Sequence, residues 1–291
     1  MSNTNHTPVT VLPIRKLHDF ENHPYKVQDN EEMGQLTESI MQYGVLSPII
    51  VRPKENTADE YEIISGHRRV MACEKAGIDK VPAFIVSMDR DAATIALVDS
   101  NLHREHVLPS EKAFAYKMKA EALEHQGRKT DITSGHVVPK SDDNRTTASI
   151  GRDVGESYKT VQRYIRLTNL IPEILQCVDD GRVAFTPAVE LSYLKEQEQY
   201  DLLNAMELYD CTPSYSQACR LKKMSQGGYL TCWDIADVMG EEKANQRERL
   251  KIPMERVSKF FPSSYTPNQI EDEIVRICEE RYRRRMSRDE R

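Results

Sequence analysis

The sequence predicts a mixed α+β protein, in which a small α/β domain is followed by an all-α part. Short β-branched runs alternate with amphipathic segments in the first hundred or so residues, which is typical of a small α/β domain. From Thr146 onward, helical periodicity continues almost without interruption. We therefore expect three regions, at residues 1–108, residues 109–195 with a polar loop at 127–145, and a helical C-terminal region at residues 196–291.

The composition limits the class of protein. With 291 residues, of which 39% are hydrophobic and 30% charged, the chain is long enough for two or three modest domains. No apolar run approaches the length of a membrane span, and the first ten residues are polar rather than signal-like. Six scattered cysteines without a Cys-x-x-Cys pair indicate a reducing cytoplasm rather than a disulfide framework or a zinc site. Because the net charge is −6, nucleic-acid binding requires a local basic patch.

Each element of the first region is indicated by its own pattern. Val9–Ile14 is an extended run, and Glu31–Tyr43 repeats apolar residues at helical spacing before Gly44, which predicts a helix and its end. Residues 45–51 contain Pro48, which predicts either an edge strand or a strand that begins at Ile49. Four more elements are predicted: strand Tyr61–Ser65, helix Arg68–Lys75, strand Val81–Val86, and helix Asp89–Asp99 with Ala92, Ile95 and Val98 on one face.

The rest of the chain is predicted to be helical. A helix begins at Pro109, carries apolar residues at Phe114, Met118 and Ala122, and is expected to end at Gly127. Later helices are predicted from Pro172, from Thr186, over Ser214–Ser225, Cys232–Met239 and Pro253–Phe261, and from Thr266 onward. The last of them carries an isoleucine stripe, which is either a dimer contact or a packed terminal helix. Its arginine-rich tail is either solvated or a second phosphate-contacting patch.

A candidate anion site follows the strand Tyr61–Ser65. Gly66 forms a turn there, and Arg68 and Arg69 open the next helix. The first turn of a helix leaves backbone N–H groups unpaired at the positive end of the helix dipole, where an anion binds. Guanidinium groups match the geometry of phosphate oxygens. The pattern predicts a phosphate site; the alternative is a solvated helix start in which Gly66 is only a turn residue.

A candidate helix-turn-helix lies in the second region. Thr147–Val154, a turn at residues 155–156 and Ser157–Thr168 have the lengths and the glycine placement of this motif, with Val161 and Ile165 facing the core. Between positions 145 and 170, five basic residues stand against two acidic ones, a local charge of +3. The alternative is an amphipathic surface helix. The residues expected to contact DNA are Ser157, Tyr158, Lys159, Thr160, Gln162, Arg163 and Arg166.

Three ordered motifs resemble those of the ParB family of partition proteins. They are Leu46-Ser47-Pro48-Ile49-Ile50-Val51-Arg52, then Ser65-Gly66-His67-Arg68-Arg69, then Ser100-Asn101-Leu102-His103-Arg104-Glu105. The resemblance extends from about residue 11 to about residue 194 and implies a site for CTP with Mg²⁺, in which Asn101 ligates the metal. It implies that Ser47, Pro48 and Ile49 line the base pocket and that Gly66, His67, Arg68, Arg69 and Arg104 contact the nucleotide.

Two positions depart from the motifs of that family. His67 stands where the family has the glutamate of a Gly-Glu-Arg-Arg box, and Ser100 stands where it has a glutamate before the metal-binding asparagine. Loss of a carboxylate beside magnesium removes charge that orients the metal and its water. The sequence therefore leaves a slow CTPase activity undecided, whereas nucleotide binding is expected.

The resemblance implies a homodimeric, nucleotide-gated clamp on centromere-like double-stranded DNA, used in chromosome, plasmid or mobile-element segregation. Residues 1–10 contain nothing like the basic segment with which many family members engage a ParA-type ATPase, so the family alone suggests that partner. One alternative is a sequence-specific regulator or nucleoid-associated factor. Another is a thiol enzyme resembling sulfiredoxin, but the reactive cysteine of sulfiredoxin would align with Gly66, and Cys73 lies far along the next helix.

Overall fold

The computed structural model describes residues 8–25, 27, 29–102, 107–134, 143–241, 257–262 and 265–289. The chain divides into two compact units, Met1–Glu241 and Glu242–Arg291. The predicted mixed α+β class is confirmed, because a five-stranded sheet comes first and helices follow it. None of the helices in the described ranges combines the length and the apolar character that crossing a bilayer requires.

The sheet is built around a central strand that begins directly after a proline. Its strands are β1 (Val9–Pro13), β2 (Leu17–His18), β3 (Ile49–Pro53), β4 (Tyr61–Ser65) and β5 (Lys80–Ile85). Their order across the sheet is β1-β5-β3-β4-β2, so β3 has a partner on each side. Since proline has no N–H to donate to a ladder, Pro48 lies just outside the pairing. Of the two alternatives for this segment, the strand that begins at Ile49 is confirmed.

Three helices pack on the two faces of the sheet: α1 (Glu31–Tyr43), α2 (His67–Lys75) and α3 (Arg90–Leu102). Successive strand residues point to opposite faces. Accordingly Ile63 joins a buried cluster with residues of α1 and α2, whereas Ile64 joins a second cluster with Leu97 and Val98 of α3. The sheet therefore separates α3 from the other two helices.

Helix α3 buries only part of the predicted stripe. Val98 is fully buried, whereas Ala92 and Ile95 are partly exposed. Ala93 and Leu97 are fully buried instead. Apolar residues flank the predicted stripe on both sides, so the sequence period fits either face. Contacts with Ile64 and Ala115 select the observed one.

The remaining helices of the first unit are α4 (Pro109–Ser134), α5 (Asp143–Val154), α6 (Tyr158–Leu167), α7 (Pro172–Asp179), α8 (Phe185–Leu191), α9 (Glu196–Leu208), α10 (Tyr215–Gln226) and α11 (Cys232–Gly240). A common buried cluster joins helices α6 to α11 with Ala113 of α4. In the second unit, α12 (Pro267–Asp289) carries the predicted isoleucine stripe, of which Ile270 is buried and Ile277 exposed. Most of the predicted helix Pro253–Phe261 lies outside the described residues, apart from a short 3-10 turn at Ser258–Phe260.

Helix α4 continues past Gly127 to Ser134, and α5 already begins at Asp143. The segment predicted as a polar loop is therefore helical at both of its ends, and residues 135–142 lie outside the described ranges. One glycine inside a helix costs only about 1 kcal/mol relative to alanine, which is too little to end a long helix. The buried face of α4 differs in part from the prediction, since Ala122 is buried as expected but Phe114 is exposed. Ala113, Tyr116 and Lys119 are buried as well.

The crossing of α5 and α6 depends on Gly151. The Glu156 N–H donates to the Gly151 carbonyl at 2.8 Å. A Cβ atom at position 151 would lie 2.5 Å from the Glu156 carbonyl oxygen, which is a backbone atom that cannot simply rotate away. The turn between the helices can therefore close only over a residue without a side chain.

We expect Gly151→Ala to lower the free energy of unfolding by about 1–3 kcal/mol, because the added methyl group forces the two helices apart. Gly34→Ala is the matched control, since Gly34 is also helical and nothing lies within 4 Å of its added Cβ. That control should raise the stability by about 0.5–1 kcal/mol. Denaturant unfolding measures both changes, and equal stability of the two variants would contradict the packing argument.

Candidate nucleotide and nucleic-acid sites

The turn at Gly66 connects the end of β4 to the start of α2. Gly66 has φ +111°, a left-handed conformation that residues with a Cβ rarely adopt. A Cβ atom there would also lie 2.6 Å from the Ile49 Cγ2 atom. The backbone at Gly66 therefore approaches the first residue of β3 as closely as packing permits. This close approach brings two segments predicted to bind the nucleotide, Ser47–Ile49 and the Gly66 turn, into contact.

Arg69 joins these two segments through hydrogen bonds. Its guanidinium donates to the Pro48 carbonyl at 2.8 Å and also to the Ser47 carbonyl. Desolvation by burial lowers the pKa of Arg69 from its ordinary value. An arginine remains protonated after such a shift, so a positive charge is fixed at the N-terminal end of α2, which is the positive end of the helix dipole. The result is a small cationic cradle formed by Ser47, Pro48, Ile49, Gly66 and Arg69.

The other two residues of the predicted arginine box face protein partners. Arg68 donates to the Glu32 carboxylate at 3.0 Å, and its side chain is 36% exposed. An exposed ion pair of this kind contributes little stability, so Arg68 can exchange Glu32 for another anion. The His67 ring is enclosed, with its centroid 4.0 Å from that of His23 and Nε2 3.9 Å from an Asp19 carboxylate oxygen. The His67 side chain therefore contacts the segment before α1, at His23 and Asp19.

The structure does not present Asn101 as an open metal ligand. Asn101 is 6% exposed, and its Nδ2 donates to the Leu97 carbonyl at 2.8 Å. Within the described residues, no group of three or more His, Cys, Asp or Glu side chains is placed to hold a metal ion. The hydrogen bonds of Asn101 engage its amide nitrogen, and ligation of Mg²⁺ through the Asn101 side-chain oxygen stays a prediction. Arg104, the other residue predicted from this motif, lies outside the described residues.

The second predicted site has the expected helix-turn-helix geometry. Gly155 adopts φ +73° between α5 and α6, and the Ser157 hydroxyl caps α6 by accepting from the Thr160 N–H at 3.1 Å. Val161 is fully buried, as predicted. Tyr158 and Lys159 are exposed at the start of the helix, with the Lys159 ammonium 6.0 Å from the centre of the Tyr158 ring. The first turn of α6 therefore offers an aromatic and a cationic group to a ligand.

The C-terminal half of the predicted DNA-contacting stripe packs against α8 and the two residues that follow it. The Arg166 guanidinium lies 3.9 Å from the centre of the Tyr193 ring and donates to the Ser192 carbonyl at 3.3 Å. Arg163 lies 5.0 Å from the Phe185 ring and donates to the Thr186 hydroxyl at 3.1 Å. Thr160 and Gln162 are partly buried. Helical spacing aligned these residues, but it carries no information about which end of the row a neighbouring helix covers.

A polar cluster that the sequence pattern does not reveal packs against the helix-turn-helix. The fully buried Tyr116 hydroxyl donates to the Glu156 carboxylate at 3.2 Å, and burial, aided by that carboxylate, raises the pKa of Tyr116 far above its ordinary range. The Lys112 ammonium lies 2.5 Å from the same carboxylate. Lys119 contacts Asp99 and Asp153. No sequence signal identified these residues, because polar residues on a helix are ordinarily expected to face water.

Comparison with known proteins identifies relatives of this chain. Residues 1–102 match the family model of the ParB N-terminal domain. The chromosome-partitioning protein Spo0J of Thermus thermophilus is 31% identical over 192 residues, which cover 66% of this chain and 62% of that protein. A nucleoid occlusion protein of Listeria innocua is 31% identical over 201 residues, covering 68% of this chain and 63% of that protein. This chain therefore spans less than two thirds of the length of these relatives.

A solved structure of C-terminally truncated ParB from Caulobacter crescentus, complexed with CTP-gamma-S, is similar with a TM-score of 0.32 and 26% identity. The match covers 64% of this chain and 92% of that one. Fold and site together define a class of protein with an α/β domain that carries a cationic turn, followed by a helix-turn-helix. Residues 1–102 are a ParB N-terminal domain, and about two thirds of the chain is similar to chromosome-partitioning and nucleoid occlusion proteins.

We expect Arg166→Ala to lower the free energy of unfolding by about 1–2 kcal/mol, because it removes the contact with Tyr193 and leaves the Ser192 carbonyl without that donor. Lys159→Ala is the matched control on the same helix, and it should leave the stability unchanged within about 0.5 kcal/mol. Thermal unfolding of both variants tests whether the C-terminal end of the stripe is packed while its N-terminal end is exposed. Equal losses would show that the two ends of α6 do not differ in this way.

Proposed function

We propose that this chain is a partition protein that binds CTP through its N-terminal domain and specific double-stranded DNA through its helix-turn-helix. It acts as a homodimeric clamp on the nucleoid, inside the cytoplasm. The observation that carries the proposal is the contact of the Gly66 turn and Arg69 with Ser47 and Pro48, within a domain that matches the ParB N-terminal model. A ParA-type ATPase is a partner by family analogy alone.

The chemistry of the cradle favours a cytidine triphosphate. The N-terminus of α2 and the charges of Arg68 and Arg69 suit the phosphates. The Ser47 and Pro48 carbonyls are held outward from β3 by Arg69. A carbonyl oxygen has two lone pairs, so each retains one for the exocyclic amine of cytosine, a donor that uracil lacks. If CTP binds, these groups hold and orient it; hydrolysis forms no part of the proposal.

Arg69→Ala should weaken CTP binding at least about tenfold, because it removes a charge-assisted contact and also releases the Ser47–Pro48 carbonyls. Isothermal titration with CTP, UTP, ATP and GTP in magnesium buffer measures this and ranks the bases. Arg15→Ala is the control, since Arg15 lies near Glu74 and Gly77 at the opposite end of α2. An unchanged CTP affinity in Arg69→Ala, or equal binding of all four nucleotides, would remove the assignment.

The exposed first turn of α6 supports DNA as the second ligand. A helix that enters the major groove uses the residues at its N-terminal end for base edges and phosphates. Ser157, Tyr158 and Lys159 lie at that end and are exposed. Arg163 is engaged with Thr186 at the surface of the unit, and its hydrogen bond can be exchanged for one to a phosphate. Selection from a random duplex library by the full chain would identify the preferred site.

Lys159→Ala should weaken binding to the selected duplex and reduce the slope of log affinity against log salt by about one. CTP affinity should not change, because Lys159 belongs to α6 and not to the α/β domain. Lys80→Ala, an exposed lysine at the start of β5, is the control for general loss of positive charge. A salt series by fluorescence anisotropy that gives the same slope for Lys159→Ala and the unmodified protein would exclude this residue from the interface.

A second candidate function is nucleoid occlusion or sequence-specific regulation without partition. The similarity to the nucleoid occlusion protein of Listeria innocua is as high as that to the partition protein of Thermus thermophilus. Mapping of bound sites in cells separates the two. A few clustered sites with signal that spreads outward favour partition, whereas many isolated sites distributed over the genome favour the second function.

A further inference from the structure

Lys119 of α4 is a lysine buried between two carboxylates of different helices. It is 2% exposed, and its ammonium lies 2.6 Å from an Asp99 carboxylate oxygen on α3 and 2.7 Å from an Asp153 carboxylate oxygen on α5. Lysine is almost never fully buried unless it is paired. Because α3, α4 and α5 contribute one group each, this contact fixes the three helices at one point.

We propose that Lys119 is a positioning residue that couples the nucleotide site of the α/β domain to the helix-turn-helix. The proposal rests on the function proposed above, since it requires that both ligands bind. Asp99 immediately precedes Ser100 and Asn101, the residues of the third ParB-like motif. Asp153 belongs to the last turn of α5, just before the Gly155 turn that leads into α6. Lys119 thus contacts the two helices that end at the two sites.

The exposure of the Lys119, Asp99 and Asp153 side chains indicates which of them can move. The Asp99 and Asp153 side chains are 47% and 51% exposed, so each carboxylate can be rehydrated when its helix end shifts. The Lys119 ammonium has no such access to water and must keep a carboxylate partner. A displacement of Asp99 therefore changes the charge balance around Lys119 and strengthens its pairing with Asp153. The Lys119 ammonium stays in place, and a change in its pairing with one carboxylate changes its pairing with the other.

The position of Asn101 indicates how a bound nucleotide acts on Asp99. The Asn101 side chain is bonded back into α3 through the Leu97 carbonyl. Asp99 and Asn101 share the last turn of α3, so a ligand that contacts Asn101 acts on the helix end that also carries Asp99. Helix α4 holds the other side of the helix-turn-helix as well, through Lys112 and Tyr116 at Glu156. A change at α3 therefore reaches α5 through Lys119 while α4 provides a rigid base.

Coupling between two ligands is reciprocal, so it is measured as the factor by which each ligand changes the affinity for the other. We would titrate the full chain with CTP in magnesium buffer, with and without the selected duplex, and repeat the titration with the ligands exchanged. Asp153→Asn keeps the shape of the side chain and leaves Lys119 paired with Asp99. We expect this variant to bind each ligand alone as the unmodified protein does, while the coupling factor falls at least about fivefold.

Hydrogen exchange gives a readout that does not depend on affinity. Addition of the duplex should change exchange at amides 97–102 in the unmodified protein and leave them unchanged in Asp153→Asn. Lys119→Met should behave like Asp153→Asn if it folds. Glu190→Gln is the control. It neutralises the carboxylate of a partly buried ion pair in which Glu190 of α8 lies 2.8 Å from the Lys222 ammonium of α10.

The outcomes separate the two proposals. If the unmodified protein binds neither CTP nor DNA, the proposed function fails and this inference fails with it. If it binds both, and Asp153→Asn retains the coupling factor and the exchange response, the role of Lys119 is overturned while the proposed function stands. A loss of coupling in Glu190→Gln equal to that in Asp153→Asn would also overturn it, because the effect would then be general rather than specific to the α3–α4–α5 contact.

Discussion

The antiparallel pairing of β3 with β4 determines where the candidate nucleotide site lies. In such a pair the start of one strand lies beside the end of the other. Ile50 is opposite Ser65, so the segment that enters β3 and the segment that leaves β4 meet at one edge of the sheet. Gly66 permits this meeting because it has no Cβ to strike Ile49. Arg69, one turn into α2, then reaches the carbonyls that precede β3.

Buried cations recur as a structural device in the first unit. Arg52 of β3 is as deeply buried as Lys119, pairs with Glu62 of β4 at 2.6 Å, and lies 5.7 Å from the centre of the Phe20 ring. Such pairs contribute little net stability, because desolvation offsets the attraction, but removal of one partner is costly. They therefore act mainly on geometry. Arg52 fixes β3 against β4 toward the end of the ladder away from the cradle, and Lys119 fixes the helices that lead to each candidate site.

The sequence predicted the fold well where a local signal fixes the structure. Gly44 ends α1 and Pro48 precedes β3, and both boundaries follow from backbone chemistry that a single residue imposes. The prediction was weaker in α3, where several faces of the helix are equally apolar. It was also weaker at Gly127, where a single glycine was expected to end a long helix. Those outcomes depend on contacts between distant segments, such as Leu97 with Ile64, which periodicity does not encode.

The candidate sites show the same limit for charged residues. Lys159, Arg166 and Lys119 look alike in a sequence, since each is a basic residue on a helix. In the structure Lys159 is exposed, Arg166 lies on Tyr193, and Lys119 is enclosed by two carboxylates. A count of basic residues between positions 145 and 170 therefore overstates the charge available to DNA, and it omits the cation that connects α3 to α5. What a basic residue does here depends on which helix covers it, so charge patterns predict a DNA-binding surface only after the neighbouring helices are placed.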